Sequence, residues 1–249
     1  MEMRKSSFGL LASFVLILFL TSGCGNNNKS SGPKQPIKPD TGSYIPIEIE
    51  ASSLALTNDG VNIIYATQSG EIYALDMNNK TSDYLDEVGG EVNGIAYINA
   101  DSYYYSMPKA IYRLALNSAT ALIASVPFPD GLDYYNGYIY SVTNDASGIL
   151  TVLDQNGNTI KTLDSGIPDI TGITHSSKYL YVLAESGDIY QTDFTTGSSR
   201  VILQNNNLFE GDNADGGLEG ITLLGGYLYV SNSSENKIYK IDVNIRNFE

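Results

Sequence analysis

Five short runs, IYALD from Ile72, IYRLA from Ile111, LTVLD from Leu150, IYQTD from Ile189 and IYKID from Ile238, share one pattern and recur along the chain. Their starts are spaced by 39, 39, 39 and 49 residues. A fixed period of this length marks a chain made of repeated supersecondary units, none of which can bury its apolar face alone. Whatever this chain folds into must stack five similar units side by side.

Each copy extends in both directions from its anchor. A Tyr-rich run precedes it, ending at Tyr65, Tyr105, Tyr140, Tyr181 and Tyr229. Before that stands a small-residue run: NGIAY from Asn93, DGLDY from Asp130, TGITH from Thr171 and EGITL from Glu219, with SLAL from Ser53 as the first copy. A fourth run follows the anchor, as in TIKTL at Thr159 or RVIL at Arg200. The runs are short, broken by Gly, Asn, Asp and Ser, and nowhere take a helical period, which predicts an all-β chain. Four strands in about 40 residues, repeated, predict a β-propeller with one four-stranded blade per repeat.

Five anchors predict five blades. The fifth copy has only seven residues after Asp242, too few for a turn and a fourth strand. The unassigned run YIPIEIE, Tyr44 to Glu50, is predicted to supply that strand and close the ring, so that no sheet edge stays open at the join. Six blades are the alternative, although no sequence remains to build the sixth.

In such a ring the first strand of each blade lines a central channel, so the residues that start the inner runs surround one mouth. These are Ser52 or Ser53, Asn93, Asp130, Thr171 and Glu219. The ten extra residues of the last interval lie in QNNNLFEGDNADGG, Gln204 to Gly217, and lead into the fifth inner run. Glu210, Asp212 and Asp215 are therefore expected to overhang the same mouth. Carboxylate and amide oxygens converging there make a candidate site for a hard cation, calcium or another divalent ion. The 19 tyrosines sit mostly in strand runs, where blade packing accounts for them better than sugar stacking. His175, the only histidine, follows an inner run and has no nucleophile motif nearby, so it reads as a packed or surface side chain.

The ends place the chain in the cell. Arg4 and Lys5 precede an apolar stretch from Phe8 to Leu20, then TSGC ending at Cys24. A stretch of this length is short of the roughly 20 residues a spanning helix needs and reads as an export signal over residues 1–23. Cys24, the only cysteine, stands directly after Ser22 and Gly23. That arrangement resembles a bacterial lipobox, which implies lipidation of Cys24 and a membrane anchor. Thr21 stands three places before the cysteine, where Leu is commonest in such boxes. Residues 24–43, polar and rich in Gly, Pro, Ser and Asn, read as a flexible tether with a reach of about 25 Å, and residues 44–249 as the propeller. The expected location is the cell envelope: the outer membrane in a cell with two membranes, with which Gly25 is compatible, and otherwise the outer face of the cell membrane.

The full chain has 14 basic and 28 acidic residues. Loss of residues 1–23 removes Glu2, Arg4 and Lys5, which leaves 12 and 27 and a net charge of −15. A surface of this sign repels nucleic acid and favours cations or basic protein surfaces.

The motifs Glu219-Gly220, Asn93-Gly94-Ile95-Ala96 and Pro129-Asp130-Gly131 are similar to those of the senescence-marker/gluconolactonase propellers and of NHL-type repeats. In the lactonases, a Glu, an Asn and an Asp from inner strands hold a divalent metal that polarises a lactone or ester carbonyl. The resemblance therefore implies Glu219, Asn93 and Asp130 as metal ligands. This chain departs from that family in its five anchors, against six blades, in Ile221 where the family has Pro, and in motif order. NHL-type propellers that only bind protein or ligand carry similar runs.

Two functions follow as expectations. One is a membrane-tethered binding or assembly module that holds an envelope protein or a small ligand. The other is a metal-dependent lactonase or esterase with its site at the channel mouth. Fold alone licenses neither, because function lives in the site.

Overall fold

The anchor runs become the third strands of five blades, and their first apolar residues are fully buried. Ile72, Ile111, Leu150, Ile189 and Ile238 are all at most 1% exposed. The structure, a computed structural model, describes residues 44–49, 52–116, 118–205 and 217–241. The signal segment, Cys24, the tether, and Glu210, Asp212 and Asp215 lie outside the described residues.

In chain order, β1 (Tyr44–Glu48) leads. Blade 1 is β2 (Ser53–Asn58), β3 (Ile63–Thr67), β4 (Glu71–Leu75) and β5 (Ser82–Glu87). Blade 2 is β6 (Gly94–Asn99), β7 (Ser102–Met107), β8 (Ala110–Ala115) and β9 (Ala121–Ser125). Blade 3 is β10 (Pro129–Tyr135), β11 (Tyr138–Thr143), β12 (Ile149–Leu153) and β13 (Thr159–Asp164). Blade 4 is β14 (Ile170–His175), β15 (Tyr179–Ala184), β16 (Ile189–Asp193) and β17 (Ser199–Leu203). Blade 5 takes β18 (Leu218–Leu224), β19 (Tyr227–Asn232) and β20 (Lys237–Ile241) from the end of the chain and β1 from its start.

Every neighbouring pair within a blade is antiparallel, and the inner strands β2, β6, β10, β14 and β18 contact one another in sequence, with β18 returning to β2. The ring is a five-bladed propeller. Its closure is the expected one: Tyr44 to Glu48 pair antiparallel with Ile241 to Lys237 across five positions. The described residues form five complete four-stranded sheets, not the six of the alternative.

The core is not central; it lies between blades. Each of five apolar clusters joins two adjacent blades, as where Leu56, Tyr65 and Leu75 of blade 1 meet Ile47, Tyr229 and Ile238 of blade 5. The second strands are thereby covered on both faces, and so β3 is buried throughout as IIYAT, whereas the third strands, such as β4 and β20, are buried only at some positions. Outermost strands such as β13, TIKTLD, are mostly exposed. The tyrosines follow the same logic. Tyr65, Tyr104 and Tyr181 are fully buried, and Tyr65 stacks on Tyr73 with ring centroids 5.2 Å apart.

The anchor aspartates have a local role. Asp76, Asp154 and Asp193 end or follow their third strands, and each accepts backbone N–H bonds from the turn that leads to strand four: from Asn78, from Asn156 and Asn158, and from Thr195 and Thr196 respectively. An Asp that folds back on its own backbone fixes the hairpin.

Candidate functional site

The inner strands do not begin in regular register. In four blades the pairing between first and second strand slips at the start: between Ser53 and Ala55, Pro129 and Leu132, Ile170 and Gly172, and Leu218 and Ile221. Leu54, Asp130, Thr171 and Glu219 fall in those gaps. A residue in a β-bulge is freed from the ladder and its side chain is re-aimed. In blade 2, Asn93 stands just before β6, with its N–H donated to the Ser106 carbonyl at 3.1 Å.

Glycines let these strands crowd together. A Cβ on Gly94 would lie 2.3 Å from the Asp130 carbonyl oxygen, and one on Gly172 would lie 2.9 Å from that of Glu219. The backbone carrying each acidic residue is thus held against the glycine of the preceding blade. Ser106 adds a bond from its Oγ to the Asp130 carbonyl at 3.1 Å.

These residues frame a pocket of about 300 Å³ at one end of the channel. Asn93, Asp130 and Glu219, the three residues implied as ligands, all line it. Glu91, Asn144, Leu54 and Phe128 line it as well, and sequence reasoning had singled out none of these four. Glu91 and Phe128 precede inner strands and Asn144 follows a second strand, so the loop positions on that face were the available signal. The blade 1 position is Leu54, not Ser52 or Ser53: Ala55 stands in place of the glycine that follows the mouth residue in the other blades, Gly94, Gly131, Gly172 and Gly220. Ser53 is fully buried, and Ser52 instead donates from Oγ to the Ser233 carbonyl at 2.8 Å. Thr171 sits one level deeper, where the channel narrows to about 10 Å³, and its Oγ1 finds no hydrogen-bond partner among the described residues.

The two carboxylates of the pocket are electrostatically strained. Burial pushes the Asp130 carboxyl up to about 7, with the Glu219 charge adding to the effect and a bond from Asn144 opposing it. Burial likewise pushes Glu219 up to about 7, with Glu185 and Glu91 adding and a Ser233 bond opposing. Among the described residues no Lys, Arg or His forms an ion pair with either. The oxygen-rich lining suits a hard cation. However, among the described residues no three His, Cys, Asp or Glu side chains are gathered closely enough to hold a metal ion directly.

A second pocket, of about 290 Å³, is lined by residues from the opposite ends of the inner strands, including Asn58, Tyr97, Tyr134 and His175. There His175 Nδ1 lies 2.5 Å from Asp133 Oδ2, and the imidazole packs on Tyr135 with centroids 4.2 Å apart.

Fold and site together define a five-bladed β-propeller with an acidic pocket at one channel mouth. The solved structures it is similar to bear out the architecture. A glutaminyl cyclase from Myxococcus xanthus has a TM-score of 0.63 at 16% identity, over 83% of this chain and 97% of that one. A protein from Bacteroides thetaiotaomicron gives 0.56 at 13% identity, over 75% of this chain and 57% of that one, and the WD40 propeller domain of Doa1 gives 0.51 at 10%, over 79% and 94%. At these identities the likeness is one of fold. No protein-family model matches the sequence, and no curated protein matches it.

Proposed function

We propose that this chain is an exported, lipid-anchored propeller of the cell envelope that acts as a binding module, and that the mouth framed by Asn93, Asp130 and Glu219 takes a cationic group. The observation that carries this reading is the pair of partly buried carboxylates in one pocket with no cationic side chain paired to them among the described residues. Two such groups repel, and each costs desolvation energy while charged. A bound cation relieves both costs. The pocket volume, about 300 Å³, is at the lower end of the range for small-molecule sites and exceeds what a bare ion fills. An organic ammonium, whether a free amine or the amino group of a peptide, fits it better than a metal alone. The export signal, Cys24 and the acidic surface support the envelope location.

The lactonase or esterase alternative is not favoured. Glu219, Asn93 and Asp130 do meet in one pocket, and their oxygens could bind a divalent ion through intervening water. Only two of the three are carboxylates, and among the described residues no group of three His, Cys, Asp or Glu gathers to hold a metal.

A second reading draws on the same carboxylates as a proton-transfer pair. Groups that titrate near 7 are suited to general acid–base work at neutral pH. The similarity to a glutaminyl cyclase makes an N-terminal glutamine peptide, itself an ammonium, the substrate to screen first.

The test is calorimetric titration of the full chain in detergent with a peptide amine, a polyamine, calcium and manganese, followed by incubation with N-terminal glutamine peptides. Binding that disappears in Asp130→Asn and Glu219→Gln supports the reading. Binding that survives both substitutions, or no binding of any of these cations at millimolar concentration, refutes it.

A further inference from the structure

The pocket at the far ends of the inner strands is a different chemical environment from the acidic mouth. It is independent of the cationic reading above.

Its central feature is the contact between Asp133 on β10 and His175 on β14. Asp133 is only 7% exposed, so its carboxylate must be satisfied by protein. One oxygen accepts the N–H of Tyr134 at 2.9 Å, and the other meets His175 Nδ1 at 2.5 Å. A carboxylate there holds the imidazole as the Nδ1–H form and fixes its plane, while Tyr135 covers one ring face. Nε2 is then the atom left to meet a ligand.

The rest of the lining is equally well ordered. Asp59 spends both oxygens on its own turn, accepting from the N–H groups of Val61 and Asn62 and from the Asn62 amide. Asn58 donates to Thr222 Oγ1 at 2.7 Å and to the Leu223 carbonyl at 3.0 Å, which knits blade 1 to blade 5 at the rim. Thr57 Oγ1 accepts the N–H of Tyr97 at 3.1 Å and ties blade 1 to blade 2. Tyr97 and Tyr134 line the same pocket, with their rings packed against Tyr103 and Tyr104 at centroid distances of 5.8 and 5.4 Å.

Charge decides the ligand class. Both carboxylates are already matched, so nothing here attracts a cation as the opposite mouth does. No Lys or Arg lines the pocket to hold an anion. What remains is a polar lining with one oriented imidazole nitrogen and several fixed oxygens, in about 290 Å³. We propose that this second pocket binds a neutral polyhydroxylated ligand of monosaccharide size, with His175 Nε2 accepting one ligand hydroxyl and the fixed side-chain oxygens of the lining meeting others.

His175 is the only histidine in the chain, so long-range ¹H–¹⁵N spectra read this one imidazole without assignment. On the full chain in detergent, the expected spectrum at pH 8 is the Nδ1–H tautomer. Addition of glucose, galactose, mannose or N-acetylglucosamine to 50 mM is expected to shift Nε2 in at least one case, saturably. His175→Gln, with circular dichroism and a melting curve confirming that the variant is folded, is expected to weaken that sugar's binding at least tenfold by calorimetry. An Nε2–H tautomer, no shift with any of the four sugars, or undiminished binding by His175→Gln would each overturn the proposal.

Discussion

Asp130 and Glu219 occupy equivalent β-bulges in blades 3 and 5, and although blade 4 separates them in the ring, they line one pocket. The bulge takes each residue off its ladder, and the channel gathers what the bulges release. Thr171, the equivalent residue of the intervening blade, lines the narrower segment below.

The stability of the protein is therefore expected to fall as pH rises from about 4 to about 7. Both carboxyls are raised to about 7 in the folded protein, from ordinary values of 3.8 and 4.5. Between those limits the folded state binds more protons than the unfolded one, so each step up in pH favours unfolding, and the loss is complete above 7. Full burial would make this about 4 kcal/mol per group, and part exposure reduces it to about 2 kcal/mol. Denaturant midpoints measured from pH 4.5 to 8 check it: Asp130→Asn and Glu219→Gln should each flatten the slope and stabilise the protein at pH 8.

Ligand binding at that mouth should have the opposite dependence. An ammonium ligand competes with the protons on these carboxylates, so its affinity is expected to drop about tenfold per pH unit below 7 where one ionised group is required, and more steeply where both are. Calorimetry at pH 5.5, 6.5 and 7.5 reads this directly. An affinity that stays level across the series contradicts the assignment of the cation to Asp130 and Glu219.

Gly94→Ala should cost about 3 kcal/mol, the upper end of the overpacking range, because the new methyl meets the Asp130 carbonyl and the Leu132 N–H, both backbone. Gly89→Ala makes a useful comparison. Its φ is +69° but nothing lies within 4 Å, so only the left-handed conformation is penalised, at about 1 kcal/mol. Thermal denaturation of the two variants should rank them in that order.

Deleting residues 44–50 should aggregate or unfold the protein. It removes the strand that pairs with β20 and the buried Ile47 and Ile49 that pack between blades 5 and 1. The exposed β20 edge would be a template for other chains. Size-exclusion chromatography and a melting curve settle the point, and a monomer with an unchanged melting temperature would contradict the closure.

Much of the site was legible once the repeat was aligned, because equivalent letters in a propeller occupy equivalent places. Asn93, Asp130 and Glu219 came from the alignment alone, and the structure brings them to one pocket. Ser53 was misplaced by one residue, since blade 1 carries Ala55 where the glycine of the other copies sets their alignment. Glu91 and Asn144 stand in loops, outside any periodic run, and the contact of Asp133 with His175 links residues 42 positions apart. Neither could be read from spacing.

The sequence by itself determined the number of blades, the strands within them and the way the ring closes, because these follow from a 39-residue period and from apolar runs that only neighbouring blades can cover. The tertiary structure alone decided that the two channel ends differ in charge. At one end Asp130 and Glu219 meet no cationic partner among the described residues, while at the other Asp133 is matched by His175 and Asp59 by its own turn. Pairing of that kind depends on which side chains the inner strands bring across a blade boundary, and a one-dimensional pattern holds no distance between them.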